Sequence, residues 1–249
     1  MTATGEPDSA LVLGAAGGVG RACAARFAAD GARVVGVDLN PSLRQLPHCL
    51  PVIGDATDER TLARAFDAAP GGAPRVLVHA LLGEDRAPLT GLTADRLRTV
   101  LDVSLVSAWQ AAAEFTRRRA GRPGAVVLIG SVHAQGAMPG MGAYAMAKAG
   151  LGALARAAAV EWGPLGIRCN LLNPGFVAVP RTQAHSRSEA GRRQIRRSYP
   201  LQRPCRAEEI AEVVAFLAGP GASYVNGASL PVDGGMLAVL PESEVGTAL

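Results

Sequence analysis

Leu13-Gly14-Ala15-Ala16-Gly17-Gly18-Val19-Gly20 is the stretch on which the reading of this 249-residue chain turns. It follows the apolar residues 10–13 and runs directly into an Ala-rich segment, residues 20–30. A short apolar run bounded by glycine reads as a buried strand, and the Ala-rich segment after it as a helix. Glycines at such a junction permit a tight turn and let the backbone approach a pyrophosphate, which then sits on the N–H groups that open the helix. The spacing is G-x-x-x-G-x-G rather than G-x-G-x-x-G. Alone, a glycine-rich turn is only a turn. Its place between a first strand and a helix makes Gly14, Gly17, Gly18 and Val19 candidate dinucleotide contacts.

Outward from that turn, strand-length apolar runs alternate with longer helical stretches. Residues 33–37, 75–78, 125–129 and 168–172 join 10–13 as strands, each rich in Val, Ile or Leu, as parallel strands covered on both faces are. Residues 58–68, 94–118, 144–162 and 207–217 join 20–30 as helices. This alternation predicts right-handed crossovers and an α/β, Rossmann-like doubly wound parallel sheet with helices on both faces. No boundary divides the chain, so residues 1–249 read as one domain.

Composition narrows the class. A hydrophobic fraction of 49% excludes intrinsic disorder. No apolar run reaches the length of a membrane-spanning helix, and the opening MTATGEPDSA lacks a basic head and an apolar segment, so a cytoplasmic protein is expected. Cys23, Cys49, Cys169 and Cys205 lie far apart without a CxxC pair, and read as free thiols rather than metal ligands. The net charge of +4 is local: seven arginines between Arg181 and Arg203 face one acid, Glu189, making that segment +6 and the remainder −2. That is not the coat of a nucleic-acid-binding protein.

Asp38 closes the second strand, eighteen residues beyond Gly20. A carboxylate there accepts hydrogen bonds from both ribose hydroxyls of an adenosine and repels a 2′-phosphate; Leu39 and Asn40 follow, with no Arg or Lys, so NAD is expected over NADP. Gly54-Asp55-Ala56-Thr57-Asp58 follows a short strand; Thr57 or Asp58 is placed to cap the next helix, leaving Asp55 free to face an adenine. Ser131 ends the strand 125–129, and thirteen residues later Tyr144-Ala145-Met146-Ala147-Lys148 lies in a helix. At i and i+4, Tyr144 and Lys148 are neighbours on one face. A phenol of pKa about 10 is a poor acid/base at neutral pH, and an ammonium about 4 Å away supplies about 4 kcal/mol at an effective dielectric near 20. The expected result is a lowered phenol pKa, with Ser131 polarising a substrate carbonyl.

With these pieces assembled, the chain resembles the short-chain dehydrogenase/reductase family over nearly its whole length. The resemblance rests on the glycine motif at 14–20, Asp38, Asp55-Ala56, Ser131 with Tyr144-x-x-x-Lys148, Asn173-Pro174-Gly175, and the ending Gly227 to Gly235. It implies that Tyr144 moves the hydroxyl proton, Lys148 holds the nicotinamide ribose, and Ser131 orients the carbonyl. It also implies that Pro174, Gly175 and Val177 line the nicotinamide and that Gly14, Gly18 and Val19 line the pyrophosphate. The reaction implied is hydride transfer between NAD and an alcohol or ketone carbon of a small molecule. The family commonly forms homotetramers.

The chain also departs from the family's pattern. His79-Ala80-Leu81-Leu82-Gly83 stands where Asn-Asn-Ala-Gly is usual, which puts His79 on the cofactor side of the resemblance. Ser104 aligns with the Asn that relays protons to the lysine, and Leu13 and Val179 replace threonines. These changes keep two alternatives open: a family member turned to non-redox chemistry, such as a dehydratase or cyclase, or a nucleotide-binding protein without turnover. His133, two residues past Ser131, either faces the substrate or is a loop imidazole. Residues 180–203 fall where the family carries its substrate-covering loop and helices. Their arginines read either as contacts to an anionic substrate or as a solvated helix face.

Overall fold

In the computed structural model, residues 9–240 are described. Seven strands form one parallel sheet in the order β3-β2-β1-β4-β5-β6-β9. They are β1 (Ser9–Leu13), β2 (Arg33–Asp38), β3 (Cys49–Ile53), β4 (Val76–His79), β5 (Gly124–Ile129), β6 (Ile167–Pro174) and β9 (Ser229–Val232). A two-stranded ribbon, β7 (Val177–Ala178) with β8 (Cys205–Arg206), stands apart from the sheet. The helices are α1 (Gly18–Ala29), α2 (Glu59–Asp67), α3 (Ala94–Leu101), α4 (Ser107–Arg119), α5 (Gly142–Trp162), α6 (Gln183–Arg187), α7 (Glu189–Ser198) and α8 (Ala207–Ala218).

The expected doubly wound sheet is present. All five residues of β1 are buried, as a strand covered on both faces requires. One face packs Val12, Val76 and Val78 against α1 and α8 through Phe27, Ile210 and Val214. The other packs Leu11, Leu13 and Leu77 against α2, α4 and α5 through Phe66, Phe115 and Leu151. Five of the seven buried positions of α5 are small (Ala143, Ala147, Gly152, Ala155 and Ala158, beside Lys148 and Leu151), which lets this 21-residue helix lie close to the sheet. Burying this apolar surface supplies most of the stabilisation, at roughly 25 cal/mol per Å².

Two elements differ from expectation. The helix read over 94–118 is interrupted: α3 passes through a π-helical turn, Asp102–Val106, before α4 begins. Ser104, at the middle of that turn, is buried and accepts a hydrogen bond from Gly83 N–H at 2.8 Å. The closing strand β9 pairs with β6 from Leu171–Ser229 to Pro174–Val232, which extends β6 to Pro174.

The sheet order also locates the site. After β1 the chain winds outward through β2 and β3, then crosses back to β4 on the other flank of β1. Loops leaving β1 and β4 therefore diverge, opening a crevice at the carboxyl edge of the strands, where open α/β sheets bind ligands.

Candidate active site

The glycine turn fills one side of the crevice. Gly14 has φ +82°, and a Cβ there would stand 2.8 Å from the Ala80 carbonyl oxygen, so both the conformation and the approach of the β4 loop require glycine. Gly17 sits at the N-cap of α1, where no side chain caps the helix. The first-turn N–H groups are thus left for a ligand, beside an exposed Gly17 and half-buried Gly18 and Val19. A Cβ on Gly20 would lie 2.1 Å from the Gly14 carbonyl oxygen and 2.7 Å from its carbon, backbone atoms that cannot yield cheaply. Gly20→Ala should therefore destabilise the protein by about 2 kcal/mol and lower its Tm by about 4–8 °C in calorimetry. An unchanged Tm would show that the turn relaxes freely.

Asp38 is drawn to this turn: its carboxylate accepts from Ala16 N–H and Asn40 N–H, each at 2.9 Å, one on each oxygen. Asp55 is less free than expected. Its Oδ1 accepts from both the N–H and the hydroxyl of Thr57 at 2.8 Å, while Asp58 caps α2 through Arg60 N–H and Thr61 N–H. Ala56 is buried beside it.

His79 requires a correction. Its imidazole is fully buried and presents no surface to a cofactor; Nε2 lies 2.8 Å from the Ser107 hydroxyl. Because that hydroxyl donates to the Val103 carbonyl at 2.7 Å, it accepts from His79, which places the proton on Nε2. Nδ1 is left without a partner, and burial, reinforced by the charge of Lys148, pushes the pKa down to about 3. The ring is neutral and part of the core.

On the other side of the crevice, Ser131, Tyr144 and Lys148 come together. Ser131 leaves β5 in extended conformation, its N–H donating to Asn173 Oδ1 at 3.1 Å, and Asn173 is held in turn by the Ser229 hydroxyl at 2.9 Å. The Ser131 hydroxyl accepts from His133 N–H at 3.2 Å and lies near enough to the Tyr144 phenol to act on its pKa. The His133 ring meets the Tyr144 ring edge-on, with centroids 5.4 Å apart. Lys148 Nζ lies 5.7 Å from the Tyr144 ring centroid and donates to the carbonyls of Ile129 at 2.8 Å and Leu81 at 3.2 Å. The β4 loop that departs from the family's pattern thus supplies an acceptor that holds the ammonium.

The electrostatics differ from the sequence expectation. Burial raises the Tyr144 pKa, opposed by the hydrogen bond from Ser131 and the charge of Arg181, while Glu84 adds to the rise. Burial lowers Lys148 to about 8. At neutral pH the phenol therefore holds its proton. The expected lowering fails because burial of the phenol is the largest influence on it and raises its pKa.

A strap closes the site from above. After Pro174 and Gly175 the chain forms β7, and Val179 turns onto the glycine loop: a Cβ on Gly18 would meet Val179 Cγ1 at 2.3 Å. Thr182 takes up the strap's hydrogen bonds, donating to the Val177 carbonyl at 2.6 Å and accepting from Val179 N–H at 3.0 Å. Tyr199, beyond α7, packs over Gly175 and accepts from Phe176 N–H at 3.0 Å. Tyr199 and Glu84 were not picked out from the sequence, since no short motif contains them.

Comparison with known proteins places this arrangement in a class. The family model described as Enoyl-(Acyl carrier protein) reductase matches residues 14–237. A cis-4-hydroxycyclohexanecarboxylate dehydrogenase from Sinomonas cyclohexanicum is 37% identical over 245 residues, covering 92% of this chain and 96% of the relative. Among solved structures, a short-chain dehydrogenase/reductase family oxidoreductase from Burkholderia thailandensis superposes with TM-score 0.86 at 33% identity, covering 94% of each chain. A Beutenbergia cavernae structure described as an NAD(P)-dependent gluconate 5-dehydrogenase, with NADP bound at low occupancy, has TM-score 0.85 at 31% identity, covering 93% of this chain and 97% of that one. The sheet and these relatives define an oxidoreductase of alcohol and ketone groups. The chain belongs to the short-chain dehydrogenase/reductase family.

Proposed function

We propose that this oxidoreductase is NAD(H)-dependent and interconverts a secondary alcohol and a ketone of a small molecule by hydride transfer, with Tyr144 as the acid/base. One observation carries the reading: the phenol of Tyr144, with Ser131 near enough to act on it, and the ammonium of Lys148 share the carboxyl-edge crevice with the uncapped N-terminus of α1. The residues present fit a dinucleotide. Gly17, Gly18 and Val19 would take the pyrophosphate, Asp38 the adenosine ribose, Ala56 and the free oxygen of Asp55 the adenine side, and Lys148 the nicotinamide ribose. Pro174, Gly175 and Val177 would take the nicotinamide. When bound, the nicotinamide supplies or accepts the hydride.

The chain's own work is the proton. Ser131 holds the substrate oxygen beside the phenol, and Tyr144 donates its proton to that oxygen as negative charge develops there. Because burial raises the phenol's pKa, the protonated form that donates to a ketone oxygen is the one present at neutral pH. Alcohol oxidation gains rate as pH rises and the phenol ionises. Ser104 contributes by fixing Gly83 and with it the β4 loop whose Leu81 carbonyl holds Lys148. The departures at 79–82 and 104 are thus absorbed by packing, and no observation favours the dehydratase, cyclase or non-catalytic alternative.

Asp38 supports NAD over NADP: its carboxylate is held beside the glycine turn through Ala16 N–H, and the adjoining residues are Leu39 and Asn40 rather than a cation for a 2′-phosphate. Fluorescence titration should show NADH binding at least tenfold more tightly than NADPH, and Asp38→Asn should narrow that gap. Equal binding of the two, or tighter NADPH, would overturn the NAD assignment. The same reading makes the protein a homotetramer, built through the outward faces of α4 and α5, where Trp109 is 53% and Val160 76% exposed. Among the described residues no helix is long and apolar enough to cross a membrane.

A further inference from the structure

Glu84 and Arg181 face each other across the mouth of the crevice. Arg181 Nη1 lies 2.6 Å from Glu84 Oε2, and Arg86 Nε lies 2.7 Å from Glu84 Oε1. Both partners are pinned. Glu84 follows Gly83, which Ser104 holds, and three residues on Ala87 N–H donates to the Gly140 carbonyl at 3.0 Å, in the loop that leads into α5 and Tyr144. Arg181 follows Val179 and Pro180, which pack on Gly18. The charges of Arg181 and Glu84 both reach the Tyr144 phenol.

The cluster is unbalanced: two guanidinium groups share one carboxylate, leaving a net +1 beside the acid/base. Glu84 engages one nitrogen of Arg181, so the guanidinium fork keeps further donors for a second carboxylate. Glu84 itself is only 18% exposed, whereas Arg181 is 55% exposed and reachable from the crevice mouth.

We infer that Arg181 is a specificity-determining residue that binds the carboxylate of an anionic substrate, a hydroxy acid or keto acid, with Glu84 holding the guanidinium in place until the substrate arrives. The inference rests on the oxidoreductase reading for the position of the reacting carbon. The charge-assisted fork supplies the affinity. Arg181→Lys keeps the charge but loses the planar fork, so it restores only part of the preference.

The test is calorimetric binding, with turnover measured alongside, of keto acids of four to eight carbons, open-chain and cyclic, each paired with its methyl ester. Protein is used with and without NADH. The expected result is an acid-over-ester preference on the order of 30-fold for the best pair. That preference collapses towards one in Arg181→Gln, recovers partly in Arg181→Lys, and grows severalfold in Glu84→Gln, where the internal competitor is gone. Equal binding of acids and esters overturns the inference, as does an Arg181→Gln variant that loses NADH affinity while its acid preference persists, which would assign the arginine to the cofactor's pyrophosphate. NADH binding and ester turnover without acid preference would overturn this inference alone. Failure of NADH to bind would count against the oxidoreductase reading, while the acid-over-ester comparison by calorimetry still decides the role of Arg181.

Discussion

Tyr144→Phe should abolish turnover, with kcat/KM falling by about 1,000-fold or more, while NADH binds with affinity unchanged within about twofold. The substitution removes one oxygen from a half-buried ring and leaves the packing against His133 intact. Ser131 keeps its His133 N–H donor and its Asn173 contact, so the stability cost is about 1 kcal/mol, the net worth of one hydrogen bond. Nothing else near the reacting oxygen can replace the phenol. Ser131 is a hydroxyl with no base beside it, and burial keeps His133 neutral below its ordinary range. The variant is checked by stopped-time absorbance at 340 nm alongside fluorescence titration of NADH. Residual activity above a tenth of wild type would remove Tyr144 from the acid/base role and revive His133 as the proton donor. Loss of NADH affinity would instead show that the ring serves binding.

What could be read from the sequence follows from how locally each feature is encoded. The glycine turn and Tyr144-x-x-x-Lys148 are fixed by contiguous residues, so strand-to-helix position and helix periodicity place them without tertiary knowledge. Strands β1, β2, β4, β5 and β6 were legible because burial on both faces leaves nearly unbroken Val, Ile and Leu. The break between α3 and α4 was not, since the π turn at Asp102–Val106 answers to a tertiary contact between Ser104 and Gly83. His79 was misplaced for a reason the chain itself contains. Along β4, Val76 and Val78 face α1 and α8, whereas Leu77 faces α4 and α5. Alternation puts His79 with Leu77, on the face where Ser107 waits. The ion pair of Glu84 with Arg181 joins residues 97 apart and leaves no local trace. The phenol's pKa was misjudged because pair spacing gives proximity on a helix face but says nothing of burial, which here outweighs the neighbouring charge.

Lys148→Met gives the second large effect, and its stability arm runs opposite to its activity arm. Lys148 is 2% exposed and its ammonium donates to the Ile129 and Leu81 carbonyls, which leaves a third hydrogen for the ribose contact proposed above. Removing it should lower kcat by about 100-fold or more and weaken NADH by about tenfold, the worth of one charge-assisted hydrogen bond. Stability moves the other way at neutral pH. Burial lowers the lysine's pKa from 10.5 to about 8, a shift worth about 3 kcal/mol at 1.36 kcal/mol per unit. Because the folded-state value is the lower one, the unfolded chain binds more protons between pH 8 and 10.5. The charged lysine therefore carries its full cost below pH 8, loses that cost as pH rises, and carries none above 10.5. Against this, methionine leaves two buried carbonyls without their donor, costing about 2 kcal/mol at every pH. The variant should accordingly be about 1 kcal/mol more stable than wild type at pH 7 and about 2 kcal/mol less stable at pH 11. Urea melts of both proteins at the two pH values measure the difference directly, and groups common to both cancel. A stability difference that does not change sign with pH would mean that Lys148 is not held charged against a burial cost. Lys148 would then not be kept for the reaction at the expense of the fold.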